Sequence, residues 1–165
     1  MKLRIADIVD DSIVDGPGFR MTVFAQGCPH HCPGCHNPGT HDFSGGKEVT
    51  VQCILDLAAE NPLLSGITLS GGEPFCQPDA MAKLAKGAKG MGLHVMAYSG
   101  WTFEELLQKE EVRALLESID VLVDGRFILA ERSLKLAFRG SCNQRIIDVP
   151  ASLKTGAPVI LDWDN

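Results

Sequence analysis

Arg20-Met21-Thr22-Val23-Phe24-Ala25-Gln26-Gly27-Cys28-Pro29-His30-His31-Cys32-Pro33-Gly34-Cys35 runs from an apolar strand straight into three cysteines, and the chain reads outward from this stretch. Arg20 to Ala25 is a short apolar run rich in strand formers, with no glycine or proline inside it. Pro29, Pro33 and Gly34 keep the backbone between the cysteines out of a helix. From Pro29 to Lys47 glycine, proline, histidine and asparagine dominate, which predicts a long functional loop. The cysteines therefore follow the C-terminal end of a strand.

Downstream the pattern alternates. Ile54, Leu57 and Ala58 recur at helical spacing behind a Thr50 cap, and Asn61-Pro62 stops that helix. Gly66 to Ser70 reads as a strand ending in Gly71-Gly72-Glu73-Pro74. Asp79 to Met91 predicts a helix closed by Gly92, and Leu93 to Tyr98 a strand ending at Ser99-Gly100. A helix over Thr102 to Leu116 then leads to the strand Val121 to Val123, ending at Asp124-Gly125, and a last strand covers Arg145 to Val149. Such strand-helix-strand units imply an α/β fold with a mainly parallel sheet. Each polar or glycine-rich motif follows a strand's C-terminal end, the edge where parallel α/β folds assemble ligand sites.

At 165 residues the chain fits one domain, taken as 1–165. A closed eight-stranded β/α barrel needs about 250 residues, so a barrel here is partial and open on one side. A net charge of -6 argues against nucleic acid and anionic membranes as partners. The chain start lacks the apolar core of a secretory signal, and no apolar run spans a bilayer, which predicts a cytoplasmic protein. Residues 151–165 are expected to pack on the core.

Three of six cysteines crowd into one loop, which reads as metal binding rather than a disulfide framework. Cys53, Cys76 and Cys142 are scattered and read as small buried hydrophobes. Three thiolates can hold three irons of a [4Fe-4S] cluster and leave the fourth iron open. Spacing alone also admits zinc, because His30, His31, His36 or His41 could complete a Cys3His site in a zinc-stabilised binding module.

The pairing of Cys28-x3-Cys32-x2-Cys35 with Gly71-Gly72-Glu73-Pro74 resembles the radical S-adenosylmethionine superfamily. Asp15-Gly16-Pro17-Gly18-Phe19-Arg20, Gly27 to Asn37 and Ser70 to Pro74 are similar to the glycyl-radical-enzyme activases within it. Val121 to Phe127 and Phe138 to Arg145 resemble the branch that activates anaerobic ribonucleoside-triphosphate reductase, and the likeness runs from Ile8 to Val149. Pyruvate formate-lyase activase is the alternative, but it is longer and generally carries an aromatic residue where Gly34 stands. Cys142 stands where the family more often has serine.

The resemblance implies one [4Fe-4S] cluster on Cys28, Cys32 and Cys35, which are also its catalytic residues. It implies S-adenosylmethionine on the open iron, with Gly34, Cys35, His36, Gly71, Gly72 and Glu73 around it and the ligand's amino group held by the Gly-Gly-Glu-Pro segment. Ser99 and Asp124 are expected near its ribose or carboxylate. Arg139 and Asn143 are assigned to the carboxylate or to a partner's glycine loop, and Arg20 to support behind the site. The implied reaction cleaves S-adenosylmethionine to a 5'-deoxyadenosyl radical and leaves a glycyl radical on the reductase. A flavodoxin- or ferredoxin-type protein is the implied electron donor.

Overall fold

In the computed structural model, which describes residues 1–163, a single seven-stranded sheet organises the chain. Its strands are β1 (Lys2–Ser12), β2 (Arg20–Ala25), β3 (Lys47–Thr50), β4 (Gly66–Gly71), β5 (His94–Tyr98), β6 (Val121–Asp124) and β7 (Arg145–Asp148). They lie in the order β3-β1-β2-β4-β5-β6-β7, and the two ends of the sheet do not meet. The centre, β2-β4-β5-β6, is parallel as the alternation predicts. The outer pairings, β3 with β1, β1 with β2, and β6 with β7, are antiparallel. The fold is thus an incomplete, open barrel whose parallel part is its middle.

Helices α1 (Val51–Ala59), α2 (Pro78–Gly90), α3 (Phe103–Leu107) and α4 (Arg113–Leu116) occupy the crossovers, and α5 (Val149–Thr155) follows β7. The strand period of two sorts side chains between two cores. Val95, Ala97 and Leu122 join Ile5, Val23, Ile67, Leu69, Leu84 and Phe103 in the main core with the helices. Met96, Val121, Val123 and Ile146 point the other way, where Tyr98, Phe138, Leu161 and Trp163 cover them. The tail up to Trp163 packs on the sheet as expected; residues 164 and 165, part of the predicted tail and of the predicted domain 1–165, lie outside the described residues.

The single helix expected over Thr102 to Leu116 is broken. Thr102 and Glu105 form a capping box that starts α3, which ends at Leu107. A tight turn, Glu110–Val112, precedes α4. The apolar sets Phe103, Leu106, Leu107 and Val112, Leu115, Leu116 are out of phase by about half a turn at 3.6 residues per turn. One continuous helix would point the second set at solvent, and the break lets both be buried. The start of α1 follows the expected chemistry, with the Thr50 hydroxyl accepting from the Cys53 N–H, while α5, which begins at Val149 where the strand was expected to end, is capped by the Asp148 carboxylate accepting from the Ala151 N–H.

Two strands escape the sequence reading. In β1 the alternation of buried Leu3 and Ile5 is interrupted by an irregularity between Ile5 and Asp7. The four residues of β3 lie at the edge of the predicted loop.

Candidate active site

Backbone hydrogen bonds build the site before any side chain does. The cysteine loop leaves β2 through a stem in which the Gly27 N–H donates to Thr40 O (2.7 Å) and the Cys28 N–H to His41 O (3.2 Å). The Gln26 amide donates to Gly39 O and Asp42 O and holds the returning chain. At the end of β4 the Gly72 N–H donates to Ala25 O (2.8 Å) and the Glu73 N–H to Gly27 O (2.8 Å). Two motifs more than forty residues apart are joined by these two bonds. Gly72 has to be glycine, since a Cβ there would lie 2.4 Å from Gly27 O. Gly71 combines a φ of +90° with a close approach to the Phe24 and Ala25 backbone.

Cys28, buried, and Cys32 and Cys35, half-buried, line one cavity of about 930 Å³ with His36, Gly71, Gly72, Tyr98 and Ser99. That volume lies in the usual range for small-molecule sites. Ser12 at the end of β1 and the strap after it, with Ile13, Val14 and Asp15, close one side of it, and Phe127, Leu136, Phe138 and Arg139 close the other. Burial pushes the Cys28 thiol up, opposed by the His30 and His31 N–H groups, with the Glu73 charge adding to the rise. Burial likewise raises the Tyr98 phenol, whose O–H donates to Phe138 O (2.7 Å). The Asn37 N–H approaches the Cys35 sulfur at 3.4 Å.

The other expected site residues lie as follows. The Glu73 carboxylate is not among the groups lining this cavity: it is buried, and accepts from Ser99 Oγ (3.0 Å), the Gly100 N–H (2.7 Å), His30 Nε2 (2.7 Å) and the Phe75 N–H (3.1 Å). Its charge is already met by donors of the protein. Gly34, at a φ of +75°, backs onto Leu129 and Phe127. Asp124 borders a neighbouring cavity of about 720 Å³, and its carboxylate is taken by the Arg145 guanidinium and the Phe103 N–H. Asn143 lies in that second cavity too, donating to Arg126 O.

Arg20 sits at the N-terminal end of its strand, away from the cysteines. It is fully buried and donates to Thr68 Oγ1, Pro17 O and Ile67 O, beside His94. Burial lowers its guanidinium to about 10. Its support reaches the strap through Pro17 and through Thr68, which donates to Asp15 O. The scattered cysteines also differ from the expectation: Cys53 and Cys142 are exposed and Cys76 is half-buried. The sequence reading missed Asp15, Tyr98, Phe127 and Phe138 as lining groups; Asp15, Phe127 and Phe138 stand in motifs that carry the family resemblance, whereas Tyr98 only ends a strand.

The donor set fits an iron-sulfur cluster. Three soft thiolates border a roomy cavity beside a glycine cradle, a combination suited to a cluster with a small molecule next to it. Among the described residues no three His, Cys, Asp or Glu side chains gather as a single-ion site. None of the described helices is long and apolar enough to cross a membrane.

Residues 14–147 match the family described as a 4Fe-4S single cluster domain. Over 142 residues the chain is 37% identical to the anaerobic ribonucleoside-triphosphate reductase-activating protein of Vibrio cholerae serotype O1, spanning 81% of this chain and 90% of the relative. The chain belongs to this reductase-activating family. The Escherichia coli K12 member is 36% identical over 140 residues, with 80% and 90% covered. The pyruvate formate-lyase-activating enzyme of Clostridium pasteurianum is 37% identical over 131 residues, but the match spans only 55% of it. The crystal structure of QueE from Escherichia coli shares the fold at a TM-score of 0.51, with 13% identity over 75% of this chain and 70% of that one. The family match, residues 14–147, thus takes in most of the residues that line the cavity.

Proposed function

We propose that this member of the reductase-activating family binds one [4Fe-4S] cluster through Cys28, Cys32 and Cys35 and uses S-adenosylmethionine to install a glycyl radical on anaerobic ribonucleoside-triphosphate reductase. The observation that carries the reading is the pair of hydrogen bonds from Gly72 and Glu73 to Ala25 and Gly27, which places the glycine cradle and the cysteine stem in one cavity. When bound, cluster and S-adenosylmethionine together supply one electron and a 5'-deoxyadenosyl radical that can take hydrogen from a glycine.

The protein's own part is position and exclusion of water. Cys28, Cys32 and Cys35 lose their protons to become ligands, and Cys28, raised by burial, binds metal more readily as pH rises. Gly71 and Gly72, whose lack of a Cβ makes room for the main chain of Phe24 to Gly27, bring the glycine segment to the cavity wall beside the cysteines. Tyr98, His36 and Phe127 supply flat apolar walls, with the His36 and Phe127 rings 5.2 Å apart. Ile13 and Val14, both exposed on the strap, frame the side from which a reductase glycine segment enters. The electron donor is a flavodoxin- or ferredoxin-type protein, which requires no nucleic acid or membrane surface.

Anaerobic reconstitution tests the reading. The expected product is brown, holds about four irons and four sulfides per chain, and cleaves S-adenosylmethionine to methionine and 5'-deoxyadenosine once reduced. Mixing with the reductase then gives a glycyl radical signal in electron paramagnetic resonance. A colourless protein holding one zinc, or a cluster with all four irons ligated by side chains, overturns it.

A further inference from the structure

One imidazole connects the cysteine loop to the rest of the cavity wall. His30 lies between Cys28 and Cys32, yet its side chain is only 4% exposed and borders both cavities. Its Nε2 is 2.7 Å from Glu73 Oε1, the same oxygen that accepts from Ser99 Oγ and the Gly100 N–H. The Arg126 Nε–H donates to His30 Nδ1 at 3.3 Å, which makes Nδ1 the acceptor and leaves the proton on Nε2, aimed at the carboxylate. Trp101 meets the ring edge-on at 4.7 Å, and a Cβ on Gly100 would lie 2.4 Å from it. His31 next door has none of this: it is exposed, at a φ of +49°, against His41.

We infer that His30 is a positioning residue that clamps the loop between Cys28 and Cys32 onto Glu73, and so sets the cluster ligands in register with the Ser99–Gly100 wall. The inference rests on the function proposed above. From Cys28 to Cys35 the chain has little regular hydrogen bonding of its own, with the Cys35 N–H to Cys32 O as its internal main-chain bond. A loop of that kind takes its position from side-chain anchors. Glu73 serves as the anchor point because it is buried and its carboxylate accepts from the Phe75 N–H in the turn after β4 and from Ser99 Oγ and the Gly100 N–H after β5. This gives the glutamate of Gly-Gly-Glu-Pro a task that does not require contact with a ligand.

The test uses the full chain as His30→Phe, His30→Gln, Glu73→Gln and the double variant His30→Phe/Glu73→Gln. Phenylalanine keeps the ring against Trp101 and removes the donor, whereas the glutamine amide can place an N–H near the position of Nε2. In the cluster-free protein, His30→Phe and Glu73→Gln are each expected to lower the melting temperature by about 5 °C, and the double variant by clearly less than the sum. After reconstitution, His30→Phe is expected to raise KM for S-adenosylmethionine about tenfold with kcat changed less than about threefold, and His30→Gln to recover most of the loss. Additive melting shifts, or a His30→Phe protein with unaltered KM, or glutamine no better than phenylalanine, overturns the clamp. If the unmodified protein takes up no cluster, the functional reading fails, and the melting cycle alone then decides the clamp.

Discussion

Replacing Gly72 with alanine probes the joint on which the site depends. The new Cβ would stand 2.4 Å from Gly27 O, and 3.0 Å from both Ala25 O and Gly27 C, where ordinary contact begins at 3.4 Å. All three neighbours are main chain, so no side chain can swing aside, and the stem must retreat by roughly 1 Å. That movement strains both bonds of the joint, from the Gly72 N–H to Ala25 O and from the Glu73 N–H to Gly27 O. Two buried main-chain bonds at about 1 kcal/mol each, plus overpacking of about 1 kcal/mol or more, give a loss of about 2 to 4 kcal/mol. For a chain of this size the expected fall in melting temperature is about 5 to 15 °C. Calorimetry of the cluster-free protein measures it, with Gly90→Ala as the control, because a Cβ there meets nothing within 4 Å. Gly72→Ala is also expected to bind less iron on reconstitution. A variant that melts with the parent and fills with iron normally would refute the argument that the two motifs are locked together through this glycine.

Removing Arg145 as Arg145→Ala leaves the buried Asp124 carboxylate with only the Phe103 N–H, and is expected to cost about 2 to 3 kcal/mol, reduced from the fully buried case because the guanidinium is partly exposed; a denaturant midpoint unchanged from the parent contradicts it. For Asp120, burial pushes the carboxyl up, but the Lys89 ammonium and the Val95 N–H outweigh it and hold it below its ordinary value, while Arg145 holds Glu104 low. The folded form therefore binds fewer protons, its advantage is present above the ordinary carboxylate range and is lost as pH falls, so melting is expected to be level above about pH 5 and to drop below about pH 4. Asp120→Asn flattens that drop; identical profiles sink the assignment. Burial, then the charges of Glu73 and Cys28, push Cys76 up to about 11, so an alkylating reagent at pH 8 is expected to mark exposed Cys53 and Cys142 well before Cys76. Mass spectrometry of timed samples reads the order, and early labelling of Cys76 rules it out.

The parallel centre of the sheet was legible because β2, β4, β5 and β6 are apolar runs ended by glycine or polar turns, and that pattern also located the edge holding the site. The cysteines and Gly71-Gly72 were legible by type and spacing. Local pattern could not reveal the partners of Glu73, since His30, Ser99 and Gly100 come from two other segments and meet it only through the strand order. The pairing of Asp124 was hidden for a related reason. A carboxylate at a strand's end looks the same whether it faces a ligand or an arginine on the next strand. The break between α3 and α4 was present in the phase of the leucines, but capping at Thr102 marks a beginning and gives no notice of an end.

Phe138 links the described part of the tail beyond α5 to the cavity wall. Leu161 and Trp163 pack over the smaller core, and the Trp163 ring stands edge-on to Phe138 at 5.8 Å, while the Phe138 carbonyl receives the Tyr98 hydroxyl at the cavity wall. Binding of a molecule that steadies that wall and the seating of Leu161 and Trp163 therefore favour each other by one shared coupling free energy. Resistance of those residues to proteolysis becomes a gauge of occupancy on the far side of an aromatic pair, readable without following the chemistry at all.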